Sequence, residues 1–284
     1  MRQGRSLRYL LALLAIVILG GCAASLQWPQ SPLYLFPESD PDWRQPGDRE
    51  AAMAAIAGHY AHYDVVAYED VTTRTPMKTF IISYGFTDFR IREGRLVQTD
   101  CFCHAEQKLD QRNTTSTFSD EATQAILPRE QEVDLRFEAG EWHVYRPASP
   151  TLLGITGDPL QPLSTDPDDP RLIDPDGDGN PGVTVRIGIG GFLNGEIYII
   201  RREIFEDYLT LNSDGNLYGY VKDDSEQFVL GASLRVLAQQ SNAVQIPDPL
   251  MSPIMLIRVD DELDTCEELM ETRDLLFPPE PEFL

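Results

Sequence analysis

The sequence predicts a mainly β fold, built of antiparallel sheets or a partial barrel with short peripheral helices. Three observations carry this. Runs rich in β-branched and aromatic residues recur along the body and are separated by turn residues. The segments that read as helix are short. No internal repeat with a period of a few tens of residues is present, which excludes solenoids and propellers.

The elements follow in order. Asp48 caps a helix that runs through Ala51, Met53 and Ile56 and ends at Gly58. The stretch Tyr60–Tyr68 becomes strand toward its C-terminal part, and Lys78–Ser83 is a second strand. Residues 88–97 alternate polar and apolar about Glu93-Gly94, a hairpin. Ser119 caps a short helix that Pro128 stops. Val133–Phe137 and Trp142–Tyr145 flank Glu138–Glu141, a second hairpin. His143 sits in that strand and is read as a strand residue, not a ligand.

Residues 147–181 hold eight Pro, and seven Asp fall between Asp158 and Asp178, opposed by Arg171. That composition marks a loop or a boundary between halves. Strands resume at Val183–Ile189 and Gly195–Arg202. Tyr208–Leu211 and Leu217–Val221 flank a turn at Asn212–Asn216 that contains Asp-Gly. Gln227–Leu230, Leu234–Leu237 and Ile254–Val259 are further strands. Thr265 and Glu268 form a capping box for a closing helix from Cys266 to about Phe277. The organisation expected is a leader over 1–21, a tether over 22–47, β-rich halves at 48–147 and 183–284, and an acidic Pro-rich linker at 148–182.

Composition limits the function. Hydrophobic residues make up 42% and aromatics 9% of the 284 residues, enough for a real core. The net charge of −23 repels a polyanion, so nucleic acid is not an expected partner.

Arg2, Arg5 and Arg8 precede an apolar run from Tyr9 to Leu19 that is too short for a comfortable spanning helix. The run ends in Leu19-Gly20-Gly21-Cys22, which resembles the bacterial lipoprotein signal box. The resemblance implies acylation of Cys22 with fatty chains and cleavage before it. Loss of three Arg would then take the charge to about −26. Several acyl chains hold a protein on a bilayer where one binds marginally. Ala23 does not resemble the Asp that retains lipoproteins at the inner membrane. The expected location is therefore the outer membrane, facing the periplasm or the cell surface. Residues 23–47, rich in Pro, Ser and Gln, read as a tether.

Cys101, Cys103 and Cys266 remain, in an oxidising compartment. Cys101 and Cys103 share one face of a strand, with Phe102 on the other, and are poorly placed to bond each other. Cys266 is expected to pair with Cys101 or Cys103, closing a loop worth about 2–4 kcal/mol. The alternative use is a zinc or copper site of Cys101, Cys103, His104 and Cys266, to which His59 and His62, three apart, could add imidazoles, though the C-x-C-H spacing is not the usual one.

Asp174-Pro175-Asp176-Gly177-Asp178-Gly179-Asn180 places carboxylates at positions 1, 3 and 5 and Gly at position 6 of a tight loop. Calcium requires six to eight hard oxygens, and such spacing supplies several. The segment resembles the calcium loops of thrombospondin type 3 repeats, dockerins and EF-hands. That resemblance implies Asp174, Asp176 and Asp178 as ligands and the Asn180 carbonyl as a fourth. Val185 stands where an EF-hand needs its bidentate acid, so a structural calcium loop is expected in place of a helix–loop–helix sensor. Asp166, Asp168 or Asp169 could complete it.

Catalytic signatures are scarce: no G-x-S-x-G, H-E-x-x-H or phosphate loop occurs. Acid pairs such as Glu203/Glu206 and Asp223/Asp224 are expected by chance among 46 acids. The Tyr-rich stretch His59–Asp64 could line a pocket or bind a ligand, but reads first as aromatic core beside a partly exposed His. The body resembles uncharacterised bacterial lipoproteins. The expected function is a calcium-stabilised outer-membrane lipoprotein acting in binding, scaffolding or envelope assembly, with a protein partner unidentified. Two alternatives stand beside it. One is a periplasmic metal-dependent or hydrolytic enzyme using His59, His62, Cys103 or His104, which would converge on one cavity. The other is a lipocalin-like carrier, which needs a hydrophobic cavity inside a barrel.

Overall fold

The computed structural model describes residues 25–72 and 77–284. The leader and Cys22 lie outside the described residues. Helix α1 (Arg49–Ile56), capped by Asp48, leads into three long strands: β1 (Gly58–Asp70), β2 (Met77–Arg92) and β3 (Arg95–Leu109). Then come β4 (Thr114–Thr117), helix α2 (Asp120–Gln124), β5 (Gln131–Glu132), β6 (Asp134–Glu138) and β7 (Glu141–Arg146). The short β8 (Thr151–Leu153) interrupts the acidic loop. The second half holds β9 (Val183–Ile189), β10 (Leu193–Glu203), β11 (Phe205–Leu211), β12 (Leu217–Asp223), β13 (Glu226–Ala232), β14 (Ala243–Gln245) and β15 (Pro253–Arg258), and closes on α3 (Cys266–Leu276).

These strands form a mainly β, antiparallel, curled half-barrel. The sheet runs β13-β10-β9-β4-β3-β2-β1-β15-β12-β11-β7-β6, with β14 on β1, β5 on β3 and β8 on β10. The two expected halves are interleaved within it. β15, β12 and β11 from the second half lie between β1 and β7 of the first, so residues 148–182 connect parts of one sheet. The hairpins at Glu93-Gly94 and Ala139-Gly140 turn on two successive positive φ values, which match the strand twist.

β1 is buried on both faces, which hides the polar–apolar alternation of an ordinary half-exposed strand. Tyr60, Val66 and Tyr68 face the concave interior; Ala61, Tyr63, Val65 and Ala67 face the outer cluster. That outer face is covered by residues from both chain ends. Trp28 meets Phe80 edge-on at 5.0 Å, Phe36 stacks on Tyr218 at 5.3 Å, and Phe277 of the C-terminal tail stacks on Tyr63 at 5.2 Å. The Tyr34 hydroxyl donates to the Pro279 carbonyl and pairs with the Tyr63 hydroxyl, each at 2.8 Å. The stretch expected as a tether thus differs from a loose linker. From Leu26 onward it is an ordered strap, because its scattered aromatics find apolar partners on the sheet.

Two further particulars follow from packing. Leu234–Leu237, expected as a strand, is a turn closed by Leu237 N–H donating to the Leu234 carbonyl. Both leucines fold over Gly195, where a side chain would meet Leu237 at 2.5 Å. Cys266 bonds Cys103, with Cα atoms 5.1 Å apart across a separation of 163 residues, while Cys101 is free and exposed. A β-bulge opposite Tyr84/Gly85 adjoins Cys103, which is 1% exposed within the outer cluster. No helix among the described residues is long and apolar enough to cross a membrane.

Candidate functional site

The concave face of the sheet encloses a cavity of about 70 Å³. Its lining is largely apolar, with Val66, Ile81, Phe102, Phe118, Leu153 and Val183. Among these side chains stand the polar and charged groups His62, Asp64, Arg146, Arg201, Glu203 and Asp207. Five strands supply the polar network at the cavity: β1 brings His62 and Asp64, β2 Thr87, β3 Gln98 and Asp100, β7 Arg146 and β11 Asp207.

The hydrogen bonds form a continuous chain. His62 Nε2 pairs with Asp64 Oδ2 at 2.8 Å, and His62 Nδ1 with the Thr87 hydroxyl at 2.9 Å. Thr87 donates to Asp100 at 2.7 Å, and Gln98 donates to Asp100 at 2.9 Å and to Asp207 at 3.3 Å. Arg146 lies opposite Asp207 in the β7–β11 register and donates to it through Nε and Nη2, the latter at 3.1 Å. Its Nε is also 3.9 Å from Asp100. Since Thr87 donates to Asp100, it can only accept from His62, so Nδ1 carries a proton, and Nε2 carries a second one where Asp64 is ionised.

Burial alone would depress the His62 pKa, but the hydrogen bond and charge of Asp64, reinforced by Asp100 and Asp207, raise it above the usual histidine value. Burial raises the Asp64 pKa against the opposing pull of His62. The pair therefore holds its proton to higher pH than free side chains do. Burial would lower the Arg146 pKa, but Asp207 and Asp100 hold it above the ordinary range.

A second charged group lies beside the first. Arg201 Nε is 3.5 Å from Glu203 yet makes no hydrogen bond, which leaves a buried donor unspent at the cavity wall. Tyr68 and Ser225 both donate to Asp223. Burial raises the pKa of both Glu203 and Asp223 against the charge of Arg201. Tyr68, Ile81 and Arg201 also line an adjoining opening of about 270 Å³ toward Met77, Gln107 and Asn242.

The histidines do not converge. His59 pairs with Asp88 at 2.9 Å and the Leu263 carbonyl at 3.0 Å; His104 pairs with Asp120 at 2.7 Å; His143 pairs with Thr210 on β11 at 2.9 Å. Of the four named for an enzyme, His62 alone lines the cavity, and Cys103 is in the disulfide. The thiols of Cys103 and Cys266 are consumed by their bond, so the four-ligand zinc or copper set is not assembled.

Sequence reasoning missed Arg146, Arg201 and Asp207, and set Glu203 and Asp223 aside. It paired Glu203 with Glu206 and Asp223 with Asp224. The fold instead brings Glu203 and Asp223 together around Arg201. A usable signal existed: on β1 the inward series Tyr60, His62, Asp64, Val66, Tyr68 places two polar groups within an apolar period-2 pattern. Asp207 interrupts the inward run Phe205, Leu209, Leu211 in the same way.

In the acidic loop, Asp174, Asp176 and Asp178 present carboxylate oxygens within 4.8 Å of one another. Asp174 accepts from the backbone N–H of Asp178 at 3.2 Å and of Gly179 at 2.8 Å. Asp178 accepts from Asn180 N–H at 2.8 Å, and Asp176 Oδ2 from Thr184 N–H at 2.9 Å. Asp176 Oδ1 is buried without a partner, and burial raises this carboxyl's pKa. Asp169 is committed to Arg171 at 2.7 Å, and Asp166 accepts from Asp168 N–H at 3.0 Å; neither they nor Asp168 join the cluster. The donor set is all hard oxygen, which suits calcium, and the Asp176 oxygen without a hydrogen-bond partner is free to serve as a ligand.

No protein-family model, curated protein or solved structure matches this chain.

Proposed function

We propose that the chain is an envelope lipoprotein, anchored through Cys22, that binds a small amphipathic molecule across the cavity of about 70 Å³ inside its curled sheet and the adjoining opening of about 270 Å³. One observation carries this reading: a cavity lined by apolar side chains together with a few hydrogen-bonded charges, next to a more polar opening that shares Tyr68, Ile81 and Arg201 with it. Ligand sites commonly combine apolar lining with a few convergent polar groups. The unspent Arg201 donor favours a ligand whose polar end is a hydrogen-bond acceptor. Of the three sequence readings, this feature favours the carrier over the scaffold, and the dispersed histidines disfavour the enzyme.

The lipid anchor places the protein on the outer membrane, facing the periplasm or the surface. A calcium ion held by Asp174, Asp176, Asp178 and the Asn180 carbonyl would brace the loop whose end, Val183, lines the cavity. Its role there is structural: it neutralises three converging carboxylates.

The test of binding uses an apolar fluorescent dye, N-phenyl-1-naphthylamine, with purified wild type and Ala105→Phe. Ala105 lines the cavity, so a phenyl ring there fills it. The expected result is dye fluorescence with wild type that falls at least tenfold in the variant, with its far-UV circular dichroism unchanged. Equal dye binding by the two proteins, or none by wild type, refutes the cavity as the site. Cys22→Ser should move the protein from the membrane to the soluble fraction; unchanged fractionation refutes the anchor.

A further inference from the structure

The end of the half-barrel where the strap begins also carries exposed apolar side chains. Leu26 N–H donates to the Asp110 carbonyl, and Lys78 Nζ donates to the Leu26 carbonyl at 2.9 Å, which places Leu26 beside the β3–β4 turn. The same turn holds the β9–β10 tip, because Gly190 N–H donates to the Asn113 carbonyl at 2.7 Å and Thr114 lies opposite Ile189. That tip is Gly190-Gly191-Phe192. Both glycines have positive φ, 63° and 73°, so the chain reverses tightly, and Phe192 is left 82% exposed.

Two more exposed apolar residues share this end. Leu284, 69% exposed, pairs through its backbone with Gln27, and Val71, 55% exposed, follows β1. Arg112, in the β3–β4 turn, is exposed as well. A large aromatic held in solvent at a strand tip, with exposed aliphatic side chains and a cation at the same end, has the composition of a bilayer interface contact.

The length of chain between Leu26 and the anchor decides the occupant. Leu26 is four positions from Cys22, a span of at most about 14 Å fully extended. If the acyl chains on Cys22 are in the bilayer, this end of the sheet faces it at short range. We propose that Phe192, with Val71 and Leu284 at the same end of the sheet, enters the interfacial layer of the bilayer that holds Cys22, so that the protein sits in one orientation with this end down. The inference rests on the lipid-anchor reading. It adds that the opening beside Met77, which leads toward the cavity, lies at the membrane end, so the ligand is an amphiphile taken from the lipid surface.

The experiment uses the full lipidated protein reconstituted in vesicles of phosphatidylethanolamine and phosphatidylglycerol, with and without brominated acyl chains. Phe192→Trp supplies the reporter, and wild type, with Trp28, Trp43 and Trp142, supplies the background. The expected result is an added indole emission that is blue-shifted and quenched at least twofold by brominated lipid. Vesicle-bound protein whose added emission is water-like and unquenched overturns the proposal and leaves the anchor standing. Protein that stays in solution overturns the anchor and this proposal with it. A blue shift that appears without vesicles and grows with protein concentration assigns the tip to a second copy, and also overturns the proposal.

Discussion

Replacing both bridged cysteines, Cys103→Ala with Cys266→Ala, tests the staple between the closing helix and the long strands. The bridge spans 163 residues. A loop of that size removes about 17 cal/mol/K from the unfolded chain, or about 5 kcal/mol at 25 °C, by the chain-entropy expression. The native contacts of α3 do not depend on the bond alone: Leu269 is fully buried and Phe277 stacks on Tyr63. The helix should therefore stay docked, and the loss should come from the unfolded state. A domain of this size loses about 2–4 °C of Tm per kcal/mol, so a fall of roughly 10–20 °C is expected. Urea and thermal unfolding followed by circular dichroism measure it, with Cys101→Ser as a control expected to change little. A loss under about 1 kcal/mol would refute the entropic argument. Peptide mapping that joined Cys101 to Cys266 would refute the pairing itself.

Arg146→Met leaves Asp207, with a side chain 2% exposed, buried beside Asp100 without its cation. Removing one partner of such a pair costs about 3–5 kcal/mol, readable by urea denaturation; a change below 1 kcal/mol would mean the network is looser than drawn. The raised pKa of His62 sets the sign of a pH effect, felt among Asp64, Asp100, Asp207 and Arg146. Its contribution is complete below about pH 6.5, the unfolded value, and is lost as pH rises through the folded value. Asp64, also raised, acts in the same direction. The double variant His62→Gln with Asp64→Asn should thus show a flatter decline of stability above pH 6.5, and an unchanged slope in urea titrations at several pH values would contradict this. Calcium at a hundredfold excess over its Kd should stabilise the fold by about 2.7 kcal/mol. EDTA should reverse that gain, and Asp176→Asn should abolish it; a Tm indifferent to calcium in wild type rules out the loop as a site.

Local signals were legible where a few adjacent residues decide the geometry. Asp48, Ser119 and Thr265 each accept a backbone N–H at the start of a helix, as their positions before short helical runs indicate. The hairpins at Glu93-Gly94 and Ala139-Gly140 were readable for the same reason. Leu234–Leu237 was misread because its apolar content serves to cover Gly195, a contact with a residue some forty positions earlier. The strap was misread because Pro-rich composition speaks to backbone freedom and not to whether Trp28 and Phe36 have a surface to meet.

What the chain determined alone was its β character, its caps and turns, and the spacing that clusters three carboxylates in the acidic loop. Those depend on interactions within a few residues, where period and stereochemistry act directly. Tertiary structure alone decided that the two halves share one sheet, that Cys103 and not Cys101 meets Cys266, and that Arg146, Asp207, Arg201 and Glu203 gather about one cavity. Each of these depends on the order in which strands pair. Distant charges are buried together only after the sheet has curled, and no local pattern records which strand will lie beside which.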